Sequence, residues 1–255
     1  MRKIVAFDLE IAKQVPDDAT DWKEYWPLGI SCGATFLVDA MFETESKLWH
    51  GQPDKNGLYP RQMTPEECRE LATYLESMAE QGWLVVTWNG LGFDHSLLLA
   101  ECQDDEYAPR IKRMARQHCD PAFAMFCELG YMIGMDTACK GMGLAGKPEG
   151  MDGAMAPRLW AQGPEEQQKV LDYVANDARM EALLYWLISK KGYLRWRSEA
   201  GNINRWFIKD HHIPTVEEAM QLPRPDTSWM REHWEREKFT EWLEGQDGSG
   251  DEENP

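Results

Sequence analysis

Four carboxylates and a phenol fall in three short motifs: Phe-Asp-Leu-Glu at 7–10, Asn-Gly-Leu-Gly-Phe-Asp at 89–94 and Tyr-Val-Ala-Asn-Asp at 173–177. Asp8 and Glu10 are two residues apart, so on a strand both side chains leave the same face. Tyr173 and Asp177 are four apart, so on a helix they share a face. Asp94 follows a Gly-rich turn. Four carboxylates brought together repel one another and resist desolvation, and bound divalent cations are the usual relief. The chemistry expected of such a set is metal-dependent attack on phosphorus, with the Tyr173 hydroxyl orienting the attacking water.

Each motif alone has an ordinary explanation. In a chain with 44 acidic residues, an Asp-x-Glu spacing arises readily by chance. Its setting is more telling, because it directly follows the apolar run Ile4 to Phe7. Asp94, after a turn and before His95-Ser96-Leu97-Leu98, suits a helix N-cap. Asn89-Gly90 suits a tight turn, and Tyr173 and Asp177 are unremarkable helix positions. The ordered trio carries the inference.

The elements that must position these residues follow from local pattern. Lys3–Glu10 reads as a buried first strand, Gly29–Val38 as a second and Ala40–Trp49 as a third. Thr64-Pro65-Glu66-Glu67 starts a helix that runs to about Glu80. Trp83–Trp88 is another buried strand. The turn at 89–92 leads into a helix over 94–102, with helical segments over 106–129 and 136–144. Residues 145–157, rich in Gly and Met, read as mobile. A long helix from Pro164 to Lys190 carries the third motif. This order predicts an α/β fold of three layers with a mixed sheet flanked by helices. The main domain is expected over 1–192, an aromatic-rich extension packed on it over 193–243, and a disordered acidic tail over 244–255.

Composition narrows the classes. The chain has 255 residues, 43% of them hydrophobic, and 12 tryptophans, enough for one substantial core. No apolar run is long enough for a signal-peptide core or a bilayer span, so no membrane role and a cytoplasmic location are expected. The six cysteines show no Cys-x-x-Cys pair and no zinc spacing, and read as scattered reduced thiols. A formal charge of −17 argues against broad duplex binding through a basic surface.

The three motifs, in this order, resemble those of the DEDD superfamily of 3′–5′ exonucleases, which have a ribonuclease H-like fold. Tyr173 lies four residues before Asp177, and the histidine subtype would need His where Asp172 stands. The chain is therefore similar to the DEDDy branch, which includes polymerase proofreading domains. Asp136 to Lys147, then Leu159-Trp160, is similar to the linking region of stand-alone members. The likeness covers about residues 3–190. It implies two divalent ions, Mg²⁺ or Mn²⁺, with Asp8 bridging them, Glu10 and Asp177 on the first and Asp94 on the second through water. Tyr173 would orient the nucleophile, and the product would be a nucleoside 5′-monophosphate. Leu9 and Phe93 would wedge against the terminal base, and Asn89 would touch the terminal nucleotide.

The expected partner is the 3′ end of single-stranded DNA or RNA, with DNA favoured. An exoribonuclease or oligonucleotidase, and a catalytically idle binding module, are the rival readings. Lys147, in a Gly-Lys-Pro turn, is a candidate phosphate contact. Residues 190–209 carry a local charge of +5 interleaved with Tyr193, Trp196, Trp206 and Phe207. That composition suits single-stranded nucleic acid, or simply an amphipathic segment whose aromatics are core. Arg110, Lys112, Arg113 and Arg116 read as a solvated helix face. The Trp-rich extension is a candidate docking surface for a second copy or a protein partner.

Overall fold

The computed structural model describes residues 2–16, 19, 22–147, 150 and 153–244. Strands β1 (Ile4–Ile11), β2 (Ile30–Val38) and β3 (Thr44–His50) form an antiparallel run. β4 (Leu84–Val86) lies parallel to β1 on its other side, giving the order β3-β2-β1-β4. The sheet is mixed, as the element order predicts.

The pleat of β1 decides which residues meet. Val5, Phe7 and Leu9 join one apolar cluster. In it they meet α1 (Pro65–Glu80), α2 (Asp94–Cys102) and α3 (Tyr107–Gln117) through Leu71, Leu75, Leu97, Leu98 and Ile111. Ile4 and Ala6 face the other side, where the clusters of β1 and β2 include α4 (Pro121–Leu129) and α7 (Pro164–Lys191). Helices thus cover both faces. A fully buried Phe7 or Leu97 stabilises this arrangement by about 1.5–3 kcal/mol relative to exposure. Alternation then puts Asp8 and Glu10 on the α7 face.

α1 begins as expected, with Thr64 and Glu67 forming a reciprocal capping box and Pro65 at its first position. The helical stretch predicted over 106–129 is instead two helices. His118 is extended, and Asp120 caps α4 ahead of Pro121. Proline disfavours helical geometry in the residue before it, which accounts for the break. α5 (Met135–Met142) and a short α6 (Ala156–Trp160) precede α7. Arg110 and Arg113 of α3 pair with Glu76 of α1 at 2.5 and 2.7 Å, a helix face occupied with its own ion pairs.

Residues beyond α7 form a hairpin absent from the sequence reading: β5 (Tyr193–Arg197) antiparallel to β6 (Ile203–Phe207). α8 (Val216–Met220) and α9 (Glu237–Glu244) follow, and Val216, Phe239 and Leu243 enter the same core as Ile4 and Phe123. Trp242 Nε1 donates to the Leu91 carbonyl at 3.0 Å, tying the extension to the turn before α2. Trp229 and Trp234 remain exposed. All six cysteines are buried and free. No helix among the described residues is long and apolar enough to cross a membrane. The tail over 245–255, and residues 148–149 and 151–152 of the loop read as mobile, lie outside the described residues.

Candidate active site

α2 opens at Asp94, but Asp94 does not cap it. The N-cap position is Phe93, with no side-chain cap bond. Asp94 Oδ1 instead accepts the Leu9 N–H at 3.0 Å, reaching across to β1. That bond fastens the second motif to the first, between Asp8 and Glu10. Asp94 is 4% exposed, Glu10 6% and Asp177 2%, so three of the four carboxylates are buried.

Their electrostatics report how closely they gather. Burial pushes the Asp8 pKa well above the usual carboxylate range, and the charges of Asp94, Glu10 and Asp177 push it further, opposed by Lys147. Burial likewise lifts Asp94 to about 7, against the Leu9 N–H that favours its anion. Asp177 is raised by burial, with the Lys147 ammonium working the other way. The three motifs therefore converge on one side of the sheet.

Lys147 sits among them. Its Nζ donates to the Tyr173 hydroxyl at 2.6 Å and to Asp177 Oδ2 at 2.5 Å. Its backbone N–H donates to Asp136 Oδ1 at 2.8 Å, which fixes the loop that delivers it. Burial disfavours the ammonium, but Asp177 and Tyr173 overrule it and the lysine stays charged. Burial, then the Asp177 charge, pushes the Tyr173 phenol above its ordinary value. A phenol so placed orients groups by hydrogen bonds and keeps its own proton.

The remaining expected residues are distributed unequally. Asn89 has a left-handed backbone (φ 67°), and its N–H donates to Asp120 Oδ1 at 2.9 Å. Phe93 is half-buried, its ring edge-on to Trp22 at 5.1 Å. Leu9 lies 3% exposed within the α1–α3 cluster, on the face opposite Asp8 and Glu10. Its side chain is core, and only its N–H serves the site.

Two positioning carboxylates were not anticipated. Glu181, one turn beyond Asp177, accepts the Trp88 N–H at 2.9 Å and joins α7 to the end of β4. Burial, then the charges of Asp8 and Asp94, push its pKa well above the usual carboxylate range. Its position four residues after Asp177 was visible in the sequence; its burial was not. Asp120 accepts from Asn89, Leu91, Ala122 and Phe123 at 2.9–3.1 Å, serving both the α4 cap and the turn of the second motif. Asp120→Asn keeps one acceptor oxygen but sets an amide against the Leu91 N–H. It should cost about 1–3 kcal/mol in urea unfolding; an unchanged midpoint would mean the turn does not depend on that carboxylate.

Among the described residues no three His, Cys, Asp or Glu side chains are grouped closely enough to hold a metal ion. The donor chemistry nonetheless fits a hard cation. The set is all oxygen, as Mg²⁺ and Mn²⁺ prefer. Asp177 Oδ1 is buried and accepts no hydrogen bond. The Lys147 ammonium supplies positive charge at Asp177 and Tyr173.

No family model and no curated protein matches this sequence. Among solved structures, the chain is similar to a family B DNA polymerase from the hyperthermophilic archaeon Pyrobaculum calidifontis (TM-score 0.47, 14% identity), over 74% of this chain and 24% of the polymerase chain. It is also similar to E. coli exonuclease I in complex with a 5cy-dA13 oligonucleotide (TM-score 0.34, 14% identity), over 74% of this chain and 41% of that one. An ExoI/SSB-Ct complex matches with TM-score 0.34 and 15% identity, over 74% of this chain and 41% of that chain. The chain spans less than half the length of each.

Proposed function

We propose that the chain is a metal-dependent 3′–5′ exonuclease of the DEDDy type, with a ribonuclease H-like fold, acting on single-stranded nucleic acid and on DNA in preference. The observation that carries this reading is the junction of the three motifs: Asp94 bonded to the backbone of β1, and Tyr173 and Asp177 joined through Lys147 on the face that carries Asp8 and Glu10. Water attacks the terminal phosphorus, the bond to the 3′ oxygen breaks, that oxygen takes a proton, and a nucleoside 5′-monophosphate leaves.

Asp8, Glu10, Asp94 and Asp177 would hold two Mg²⁺ or Mn²⁺ ions, which supply Lewis-acid neutralisation of the phosphate and activation of the nucleophile. Tyr173, kept as a phenol, orients the water. Lys147 reaches the same point and is placed to pair a phosphate oxygen. Asn89 and Phe93, from the same motif as Asp94, would meet the terminal nucleotide. Glu181 and Asp120 hold the surrounding turns in place. A relative specialised for RNA ends or short oligonucleotides is the second reading, favoured by the −17 charge, which disfavours long duplex.

The test uses 5′-labelled single-stranded DNA, single-stranded RNA and blunt duplex with Mg²⁺ or Mn²⁺, beside an Asp8→Ala control. A ladder shortening from the 3′ end, absent in the control and in EDTA, is the expected result. The absence of metal-dependent cleavage on all three would overturn the proposal.

A further inference from the structure

The β5–β6 hairpin lies outside the stretch that carries the resemblance, and its two faces differ sharply. Leu194, Trp196 and Trp206 point inward and are buried. The outward face pairs Tyr193 with Phe207, Arg195 with Arg205, and Arg197 with Ile203, directly opposite one another. Like charges in directly opposed positions of an antiparallel pair are destabilising. Among the described residues no carboxylate relieves them. Arg195 Nε donates to the Gly141 carbonyl at 2.9 Å, and an Arg197 guanidinium nitrogen donates to the Gly201 carbonyl at 3.2 Å. Arg205 lies over the Tyr193 ring at 5.6 Å. Beside these cations Phe207 is 67% exposed and Ile203 61%.

We propose that this outward face, with Lys140 of α5, holds the single-stranded nucleic acid upstream of the 3′ end. Three guanidinium groups that form no ion pair among the described residues, beside exposed apolar side chains and a ring, fit a ligand that offers phosphates and base faces together. The position of this face is also continuous with the candidate site. A groove of about 610 Å³ runs beside the contact of the hairpin with α5, lined by Asp136, Lys140, Arg195, Arg197 and Ile203. Asp136 bounds this groove, pairs with Lys140 at 2.6 Å, and accepts the backbone N–H of Lys147. One side chain therefore borders both the groove and the loop that reaches Tyr173 and Asp177. Gly141 rigidifies the junction, because any Cβ there would strike the backbone of Arg195 and Trp196.

The direction of the strand rests on the exonuclease reading; the binding face does not. Binding is therefore measured apart from catalysis, by fluorescence anisotropy of 5′-fluorescein dT12 with the full chain in EDTA. Arg197→Glu/Arg205→Glu should weaken binding at least tenfold and flatten its salt dependence, whereas Lys55→Glu, an exposed charge reversal in the turn at 54–58, outside the groove, should not. Should the double variant lose its fold by circular dichroism, Phe207→Ser takes its place, with an expected loss of about fivefold or more from stacking. An affinity within twofold of wild type in the folded variant overturns the proposal. So does a dodecamer of glutamate competing as well as dT12, which would mark an acidic protein partner instead. Because the titration holds no metal, cleavage assays decide the reaction and this measurement decides the hairpin.

Discussion

Asp94→Asn is expected to lower hydrolysis on the order of 100- to 1,000-fold or more while making the metal-free protein more stable at pH 8. The two effects have one cause. Asp94 is buried, with the charges of Asp120 and Asp177 within reach, and its carboxyl is pushed up to about 7 because desolvation outweighs the Leu9 N–H bond. Its folded pKa is raised above the unfolded value near 4, so the folded state binds more protons between those two pH values. Stability of the metal-free protein must then fall as pH rises from about 4 through 7, with the full loss reached above that. Asn keeps the oxygen that accepts from Leu9 and removes the charge.

The gain for the variant at pH 8 should be about 2–4 kcal/mol, or on the order of 5–10 °C in Tm for a chain of this size. At pH 3, below both the unfolded and the folded pKa, the wild type and variant should melt together. Thermal melts in EDTA across that range check both halves. A variant that is inactive and also less stable at pH 8 would mean Asp94 is a structural acceptor whose charge is tolerated, and the site would lose its electrostatic rationale.

The sequence carried some of this directly. The i, i+2 spacing of Asp8 and Glu10 placed both on one face, and β1 bears that out because its apolar partners Ile4 and Ala6 face α7. Thr64-Pro65-Glu66-Glu67 likewise contained its whole helix start in four residues. Asp94 misled as a cap, because its true partner is a backbone N–H 85 residues away, a tertiary fact that local pattern cannot hold. The parity of β1 already assigned Leu9 to the face opposite the carboxylates, a physical constraint stronger than the resemblance that gave it a substrate role. Asp120-Pro121 was a visible cap signal, overlooked within a long helical stretch. Glu181 is one acid among many on α7, and only burial distinguishes it. In β5 the alternation Tyr-Leu-Arg-Trp-Arg is a strand pattern, hidden because its outward positions are cationic rather than neutral.

Lys147→Met is expected to destabilise the metal-free protein by about 3 kcal/mol, and the loss should depend on Asp177. The lysine is the cation that offsets Asp177, whose side chain is 3% exposed against 29% for its own. Removing one partner of a buried pair leaves the other charge uncompensated, which costs about 3–5 kcal/mol when both are fully buried; the partial exposure of Lys147 places the effect at the lower end. Lys147→Met/Asp177→Asn should recover most of the loss, giving a coupling that neither single substitution predicts. The same variant asks what the ammonium stands in for. If Lys147 supplies the positive charge that a divalent ion would otherwise bring to Asp177, the methionine variant has more to gain from that ion. Millimolar Mg²⁺ should then raise its Tm further than it raises the wild type's, since a ligand stabilises in proportion to its affinity for the folded state. An equal shift in both proteins would separate the lysine from the cation site and leave it as a phosphate contact alone. A smaller shift in the variant would mean that Lys147 organises the carboxylates for the ion rather than competing with it. The sign of that difference decides which of these roles the loop at 143–147 was folded to perform.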